Sequence, residues 1–223
     1  MHDDILTDRQ REGLAVLSRS GLLARFHLVG GTAAALHLGH RRSVDFDFFT
    51  EEDLDPGDVL SRFEGSLSLE VRRQSAETLH LVFHGVPLTF LRYPYPLLES
   101  TVAGPSGLRL IQKKDLLAMK LVAVSQRGTR KDFIDLYFLC RSGMTLREGL
   151  DLLPLKYQGV RFEPYHIINS LEYFADAEKQ DLPHMLVPFT WEECKAYFHQ
   201  VVPPLARTLF GRGEDGEASR PAP

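Results

Sequence analysis

Apolar and polar residues alternate in short segments through the first half of this chain, a pattern typical of strands mixed with short helices. Val44–Phe48 alternates strictly between apolar and acidic residues, which predicts a half-buried strand. Two alternating segments flank His84-Gly85 and predict a hairpin. The predicted elements of this half are helices at 8–20, 32–38 and 55–63 and strands at 25–29, 44–48, 67–71, 78–83 and 86–92.

Beyond Pro94 and Pro96 the apolar positions recur at helical spacing, and Gly or Pro residues separate the segments. Pro203-Pro204 should interrupt the last segment, because proline lacks the amide that continues a helix. The predicted helices are 112–126, 130–141, 145–153, 164–177 and 190–210. Strands followed by helices indicate an α/β (α+β) fold with a mixed sheet flanked by helices and a helical C-terminal half.

The 223 residues are enough for one compact unit, and we expect a core at 1–100, a helical region at 101–211 and a disordered tail at 212–223. No apolar run approaches the roughly 18 residues of a membrane helix, and the start lacks a signal-peptide pattern, so we expect a cytoplasmic protein without a membrane partner. Cys140 and Cys194 are expected to be buried thiols. The formal charge of −4 leaves an RNA partner open, because a local basic patch can still hold phosphates.

Asp45 and Asp47 are candidate metal ligands, because residues two apart on a strand project from the same face. Hard cations such as Mg²⁺ or Mn²⁺ prefer carboxylate oxygens. Gly30 and Gly31 precede a helix, where exposed amides and the helix dipole favour an anion such as a triphosphate. Either pattern alone has an ordinary structural explanation, whereas the two on consecutive elements are more specific.

The segments Val29-Gly-Gly-Thr32 and Leu38-Gly-His-Arg-Arg-Ser-Val-Asp-Phe-Asp-Phe-Phe49 resemble the core signature of the AbiEii/AbiGii-type nucleotidyltransferases, members of the DNA polymerase β-like superfamily. The resemblance implies a nucleotidyltransferase core at 1–100, completed by the helical region, and transfer of an NMP from an NTP with release of pyrophosphate. It also implies a toxin of a toxin–antitoxin or phage-defence system, a tRNA, RNA or protein hydroxyl as acceptor, and a cognate antitoxin as partner.

Later segments around Lys120 and at Arg130-Lys-Asp-Phe-Ile-Asp-Leu-Tyr137 resemble further motifs of that family, which implies a triphosphate-contacting Lys120 and an essential Asp132. Lys120 also shares a helix stripe with Lys113 and Arg127. A solvated basic face explains Lys113 and Arg127 better than it explains Lys120, which lies between apolar neighbours. Asp135 is expected to hold adjacent helices together. The candidate catalytic residues are Asp45, Asp47, Lys120 and Asp132, and the candidate nucleotide-binding residues are Gly30, Gly31, Thr32, Ser43, Arg41 and Lys120.

One departure from the superfamily pattern concerns the third carboxylate, which usually acts as the base for the acceptor hydroxyl. Thr89 stands where that acid is expected, and threonine cannot act as a base near neutral pH. Asp132 or the substrate would then supply the base. Two alternatives to a toxin stay open. One is an antibiotic-type enzyme with a small-molecule acceptor, and the other, which the missing carboxylate supports, is a catalytically inactive nucleotide-binding module of the same fold.

Overall fold

A computed structural model describes residues 1–63 and 68–211, and the predicted tail at 212–223 lies outside the described residues. The strands described are β1 His27–Val29, β2 Phe46–Thr50, β3 Leu69–Gln74, β4 Thr78–Phe83, β5 Val86–Arg92, β6 Val102–Ala103 and β7 Arg109–Leu110. The helices described are α1 Asp8–Ser20, α2 Gly30–Leu38, α3 Pro56–Ser61, α4 Lys113–Gln126, α5 Arg130–Arg141, α6 Leu146–Lys156, α7 Pro164–Ser170, α8 Ala175–Glu178 and α9 Trp191–Phe210.

The described strands form one sheet in the order β3-β4-β5-β2-β1-β7-β6. β3, β4 and β5 pair antiparallel as consecutive neighbours, and β1 pairs antiparallel with β2. The pairs β2–β5 and β1–β7 are parallel. The sheet is therefore mixed, with helices packed against it, as predicted from the sequence.

The central strand β2 places Phe46 and Phe48 on one face and Asp47 and Phe49 on the other. Phe46 and Phe48 are buried and pack against each other, and Phe48 also stacks on Phe90 of β5. Asp47 lies between them in sequence and is half-buried on the opposite face. Burial of the two phenylalanines fixes the register of the strand, because a slip of one residue would turn them to the opposite face of the sheet.

The helix α4 lies at the centre of the helical half and contacts α2, α5, α6 and α7. Its buried residues occur on nearly every side, which is the pattern of a helix surrounded by protein. Lys120 is buried on this helix beside Leu121. A buried lysine requires partners for its charge, and α5 supplies them.

Two of the predicted helices differ from those observed. The segment predicted as one helix at 164–177 contains two short helices, α7 and α8. The expected interruption at Pro203-Pro204 was wrong, because α9 continues through both prolines. An apolar stripe of Phe198, Val202 and Leu205 keeps packing against the core along this helix, and tertiary packing therefore outweighs the lost hydrogen bonds. Among the described residues, no helix is long and apolar enough to cross a membrane.

Candidate active site

A row of three polar side chains crosses the sheet on the face opposite the phenylalanine core. Asp47 of β2 pairs in register with Thr89 of β5, and Thr89 pairs in register with His80 of β4. Residues directly opposite each other on paired strands project from the same face. The Nδ1 atom of His80 lies 3.1 Å from Oγ1 of Thr89, and Thr89 in turn lies beside Asp47 on the neighbouring strand.

This row forms one wall of a cleft of about 410 Å³ between the sheet and α4. One end of the cleft is polar and is lined by Gly30, Asp47, His80, Thr89, Gln126, Lys120 and Arg127. The other end is mostly apolar and aromatic and is lined by Phe49, Tyr93, Leu116, Met119 and Tyr157. Such a cleft, apolar with a few convergent polar groups, is typical of a small-molecule site.

The glycine turn begins α2 directly beside Asp47. Gly30 has a φ of +69°, a conformation that glycine adopts far more readily than other residues. A Cβ at Gly30 would overlap Oδ2 of Asp47, and a Cβ at Gly31 would lie 2.6 Å from Nη2 of Arg41 and 3.1 Å from Oγ of Ser43. Both glycines are therefore required by the close approach of neighbouring side chains.

Replacing Gly30 by alanine is expected to reduce activity about 100-fold, because displacement of Asp47 by about 1 Å has effects of that order. The backbone strain alone should cost roughly 1–2 kcal/mol of stability. Gly21→Ala is the matched control, since Gly21 has a φ of +77° and no atom within 4 Å of an added Cβ. Rate and thermal unfolding should be measured for both, and equal activity in the two variants would contradict the placement of Gly30 at the site.

Asp45 immediately precedes β2 and is held by two hydroxyl groups. Ser43 Oγ donates to Asp45 Oδ1 at 3.2 Å, and Thr32 Oγ1 donates to the Asp45 backbone oxygen. Gln10 in turn donates from Nε2 to the Ser43 carbonyl at 2.9 Å. Thr32 and Ser43, expected as nucleotide-binding residues, are both buried and contact Asp45 in the structure.

The electrostatics of Asp47 favour a bound cation. Burial and the neighbouring charge of Asp45 raise the pKa of Asp47 to about 6, whereas the hydrogen bond from Thr89 opposes this rise. Two carboxylates that repel each other in a partly buried position are stabilised when a divalent ion lies between them. The described residues contain no group of three or more acidic, His or Cys side chains positioned for a metal.

Lys120 lines the cleft but is already paired with two carboxylates behind it. Its Nζ lies 2.9 Å from Asp132 Oδ1 and 2.7 Å from Asp135 Oδ2. Although burial opposes its charge, Asp135 and Asp132 raise the pKa of Lys120, which therefore remains a cation. A lysine held in this way can present a fixed positive charge to the cleft.

Asp132 does not line the cleft and is surrounded by donors. Besides Lys120, it accepts from Arg127 Nε at 2.7 Å and from Thr129 Oγ1 at 2.6 Å. Burial opposes its ionisation, but Lys120 and Arg127 hold the pKa of Asp132 well below its ordinary value. The sequence suggested that Asp132 orients or activates the acceptor, whereas the structure gives it contacts that position Lys120 and Arg127.

Asp135 binds the loop that precedes β2. Arg41 donates to it from Nε at 2.7 Å and from Nη2 at 2.9 Å, and His40 Nε2 lies 2.8 Å from its Oδ1. Arg41, Asp135 and His40 are all buried. Arg41, predicted to contact the nucleotide, is therefore occupied in a bidentate pair that fixes α5 to the segment carrying Ser43 and Asp45.

The structure thus brings Gly30, Asp47 and Lys120 together at the cleft, while Arg41 and Asp132 support them from behind. Sequence reasoning missed the two tyrosines at the apolar end, Tyr93 and Tyr157, whose hydroxyls are 2.9 Å apart. It also did not single out His80. Its position on the polar face of the alternating segment Thr78–Phe83 was the available signal.

Solved structures with the same architecture identify the fold of this protein. MenT4, a nucleotidyltransferase toxin from Mycobacterium tuberculosis H37Rv, aligns with a TM-score of 0.55 and 16% identity over 88% of this chain and 84% of its own. A crystal structure described as a nucleotidyltransferase candidate from H. pylori aligns with a TM-score of 0.52 and 15% identity over 92% and 97% of the two chains. The fold is that of the nucleotidyltransferases.

Sequence comparison then identifies the family. The profile of the family "Nucleotidyl transferase AbiEii toxin, Type IV TA system" matches residues 78–205. An uncharacterized protein of Aquifex aeolicus (strain VF5), aq_aa25, is 37% identical over 201 residues, which are 88% of this chain and 96% of the relative. The chain belongs to the AbiEii family and is a nucleotidyltransferase. The family and fold class predicted from the sequence are confirmed.

Proposed function

We propose that this protein transfers an NMP from an NTP to a hydroxyl of an RNA acceptor, tRNA foremost, with a divalent metal ion held by Asp45 and Asp47. The observation that carries the proposal is the juxtaposition of the Gly30 turn with the Asp47 carboxylate at the polar end of the cleft. Catalysis would consist of positioning and charge neutralisation, which is what in-line phosphoryl transfer requires of a protein.

Mg²⁺ or Mn²⁺ would bind the carboxylates of Asp45 and Asp47, with phosphate oxygens of the NTP as further ligands. The metal would supply neutralisation of charge that develops on the phosphates. The arrangement of the acidic pair fits such an ion, because Asp47 has a raised pKa in its absence and Ser43 fixes Asp45. The remaining groups of this chain bind and orient the substrate.

The NTP would lie along the cleft with its phosphates at the polar end and its base at the aromatic end. Lys120 would contact the phosphates as a cation, aided by amides of the Gly30 turn at the start of α2. Tyr93 and Tyr157 offer aromatic surface for the base, and burial raises the pKa of both phenols, so they remain neutral donors.

A second groove of about 400 Å³ shares Gln126 and Arg127 with the cleft and extends away from it. Arg127 presents a cationic group there, and 62% of its side chain is exposed. Tyr173 presents an aromatic ring, and the residue is 59% exposed. Cationic and aromatic side chains together suit a single-stranded nucleic acid, whose bases stack while its backbone is neutralised. This groove favours a polynucleotide acceptor over a compact small molecule.

Removal of the Tyr173 ring is expected to raise the KM for the RNA acceptor about 5- to 150-fold, because base stacking on an aromatic side chain contributes roughly 1–3 kcal/mol. The KM for the NTP should not change. Tyr165→Ala is the matched control, since Tyr165 is equally exposed at 61% but does not line the groove. Steady-state kinetics on all three proteins would contradict the groove assignment if the two substitutions had the same effect.

We further propose that transfer to tRNA makes this protein the toxin of a toxin–antitoxin or phage-defence pair, with a cognate antitoxin as partner. Membership of the AbiEii toxin family and the likeness to the MenT4 toxin support this role. The role predicts growth arrest on expression of the wild-type chain and normal growth with Asp45→Ala.

The experiment that tests the transfer uses purified protein, Mg²⁺, each α-labelled NTP in turn and total tRNA, with Asp45→Ala as control. Label in RNA with the wild type alone supports the proposal and identifies the nucleotide. Label on the protein itself would move the acceptor to a protein hydroxyl. Nucleotide binding without label in either would favour the small-molecule enzyme or the inactive module.

A further inference from the structure

We infer that His80 is the general base of the transfer reaction and takes the proton of the acceptor hydroxyl, in the place where related enzymes use a third carboxylate. The inference rests on the proposed nucleotidyl transfer and adds a catalytic residue to it. It depends on the row formed by Asp47, Thr89 and His80 and on the lack of another proton acceptor among the described residues that line the cleft.

The position of the His80 imidazole supports this role. His80 lies one strand beyond Thr89, on the same face of the sheet, and its ring lines the polar end of the cleft. Leu79 and Leu81 on either side of it are buried in the opposite face, so the register of β4 fixes the direction of the imidazole. The ring thus occupies the space next to the residue that replaces the usual acid.

The hydrogen-bond chain from Asp47 through Thr89 determines the tautomer of His80. Thr89 has one hydroxyl proton and lies in register with Asp47, whose ionised carboxylate that proton stabilises. Its Oγ1 can then only accept from His80, whose Nδ1 lies 3.1 Å away. The proton of the neutral ring is therefore on Nδ1, and Nε2 keeps its lone pair. An imidazole with one nitrogen fixed as donor and the other free is the form that a general base requires.

The other ionisable groups that line the cleft within residues 1–63 and 68–211 are unsuited to act as the base. Asp47 is a proposed metal ligand, and Lys120 is a cation held by Asp132 and Asp135. Burial raises the pKa of both Tyr93 and Tyr157, which therefore stay protonated. Arg127 cannot lose its proton. Among these groups only His80 offers a free lone pair, on Nε2, to the acceptor proton.

The charged groups around the ring suit this role. Asp47 and Thr89 lie on one side of it along the row, and Arg73 of β3 pairs in register with His80 on the other. Lys120 and Arg127 face it from α4 and the residue that follows it. In the reaction the acceptor oxygen forms a bond to the α-phosphorus, the bond from that phosphorus to the bridging oxygen breaks, pyrophosphate leaves with the electron pair, and the proton moves to Nε2.

The test uses label transfer from α-labelled NTP to total tRNA with Mg²⁺, for the wild type, His80→Ala and His80→Gln. A general base contributes about 10²- to 10⁴-fold, so both variants should lose at least about 100-fold in kcat. Mg²⁺-dependent NTP binding should be unchanged in both. Imidazole added to the buffer should restore part of the rate to His80→Ala, where it fills the vacated space, and not to His80→Gln.

His84→Asn is the matched control, because His84 lies on the same hairpin, outside the cleft and exposed to solvent, and asparagine tolerates its φ of 49°. It should keep the wild-type rate. A rate within about threefold of wild type in either His80 variant, or no restoration of His80→Ala by imidazole, would overturn the inference. Absence of transfer by the wild type itself would instead refute the proposed function.

Discussion

Asp135→Asn is expected to lower the free energy of unfolding by about 3–5 kcal/mol, because it leaves Arg41 and Lys120 buried with one carboxylate fewer between them. Asp135 itself has no exposed surface, and its pKa is held well below the ordinary value by Arg41 and Lys120 against the opposing effect of burial. Asparagine preserves the shape of the side chain, so the loss reports on charge. Chemical denaturation at neutral pH measures it.

Asp151→Asn provides the comparison for this prediction. Asp151 pairs with Arg147 at 3.0 Å on the surface of α6, with 60% of the Asp151 and 50% of the Arg147 side chain exposed. Exposed pairs of this kind contribute about 0–1 kcal/mol. If Asp135→Asn were no more destabilising than Asp151→Asn, the buried network could not be what fixes α5 to the loop before β2.

Asp47→Asn is expected to abolish transfer, with a loss of at least about 1000-fold, and at the same time to stabilise the metal-free protein. The loss follows from removal of a proposed metal ligand at the reacting phosphate. The gain follows from the pKa of Asp47, which burial and Asp45 raise from 3.8 to about 6. A rise of about two pH units corresponds to roughly 3 kcal/mol of unfavourable ionisation at pH 7, which the neutral amide avoids.

The pH dependence has a defined sign. Between about pH 4 and pH 6 the folded protein binds the Asp47 proton more tightly than the unfolded chain does, so the contribution of this group to stability falls as the pH rises through that window and is constant above it. Asp47→Asn should remove that slope. Thermal unfolding in the presence of a chelator, followed across this pH range, measures the slope. An unchanged slope in the variant would show that the pKa of Asp47 is not raised in the folded protein.

Added Mg²⁺ with NTP should make the wild type more stable than Asp47→Asn, the reverse of the order expected without metal. The wild type should then gain stability by ligand binding, whereas Asp47→Asn should not. A gain of similar size in both proteins would place the metal elsewhere.

Much of the fold could be predicted from the sequence because its periodicity is strong. The hairpin strands β4 and β5 and helix α5 were predicted with the bounds that the structure has. The two-residue strands β6 and β7 carry too few positions for a period to be visible, and they form only because β1 offers them an edge. The prolines of α9 misled the prediction because local propensity does not include the packing of a long apolar stripe.

The site was predictable where its residues are neighbours in sequence or share a strand. Gly30 and Asp47 follow from consecutive elements, and β1–β2 pairing brings Val29 opposite Asp47. The burial of Arg41 could not be predicted, because its partner Asp135 is 94 residues away. Likewise His80 reaches the site through the parallel pairing of β2 with β5, which are not consecutive strands, and no local pattern specifies that pairing.

The most direct test of the central claim compares two labels in one reaction. The wild type, Mg²⁺ and total tRNA are incubated with NTP labelled at the α-phosphate or at the γ-phosphate, and Asp47→Asn is run beside it. We expect α-label in the RNA and γ-label in released pyrophosphate, with neither product from the variant. Label transferred from the γ-position, or equal transfer by the Asp47→Asn protein, would contradict a nucleotidyltransferase centre built on the Gly30 turn and the aspartate pair.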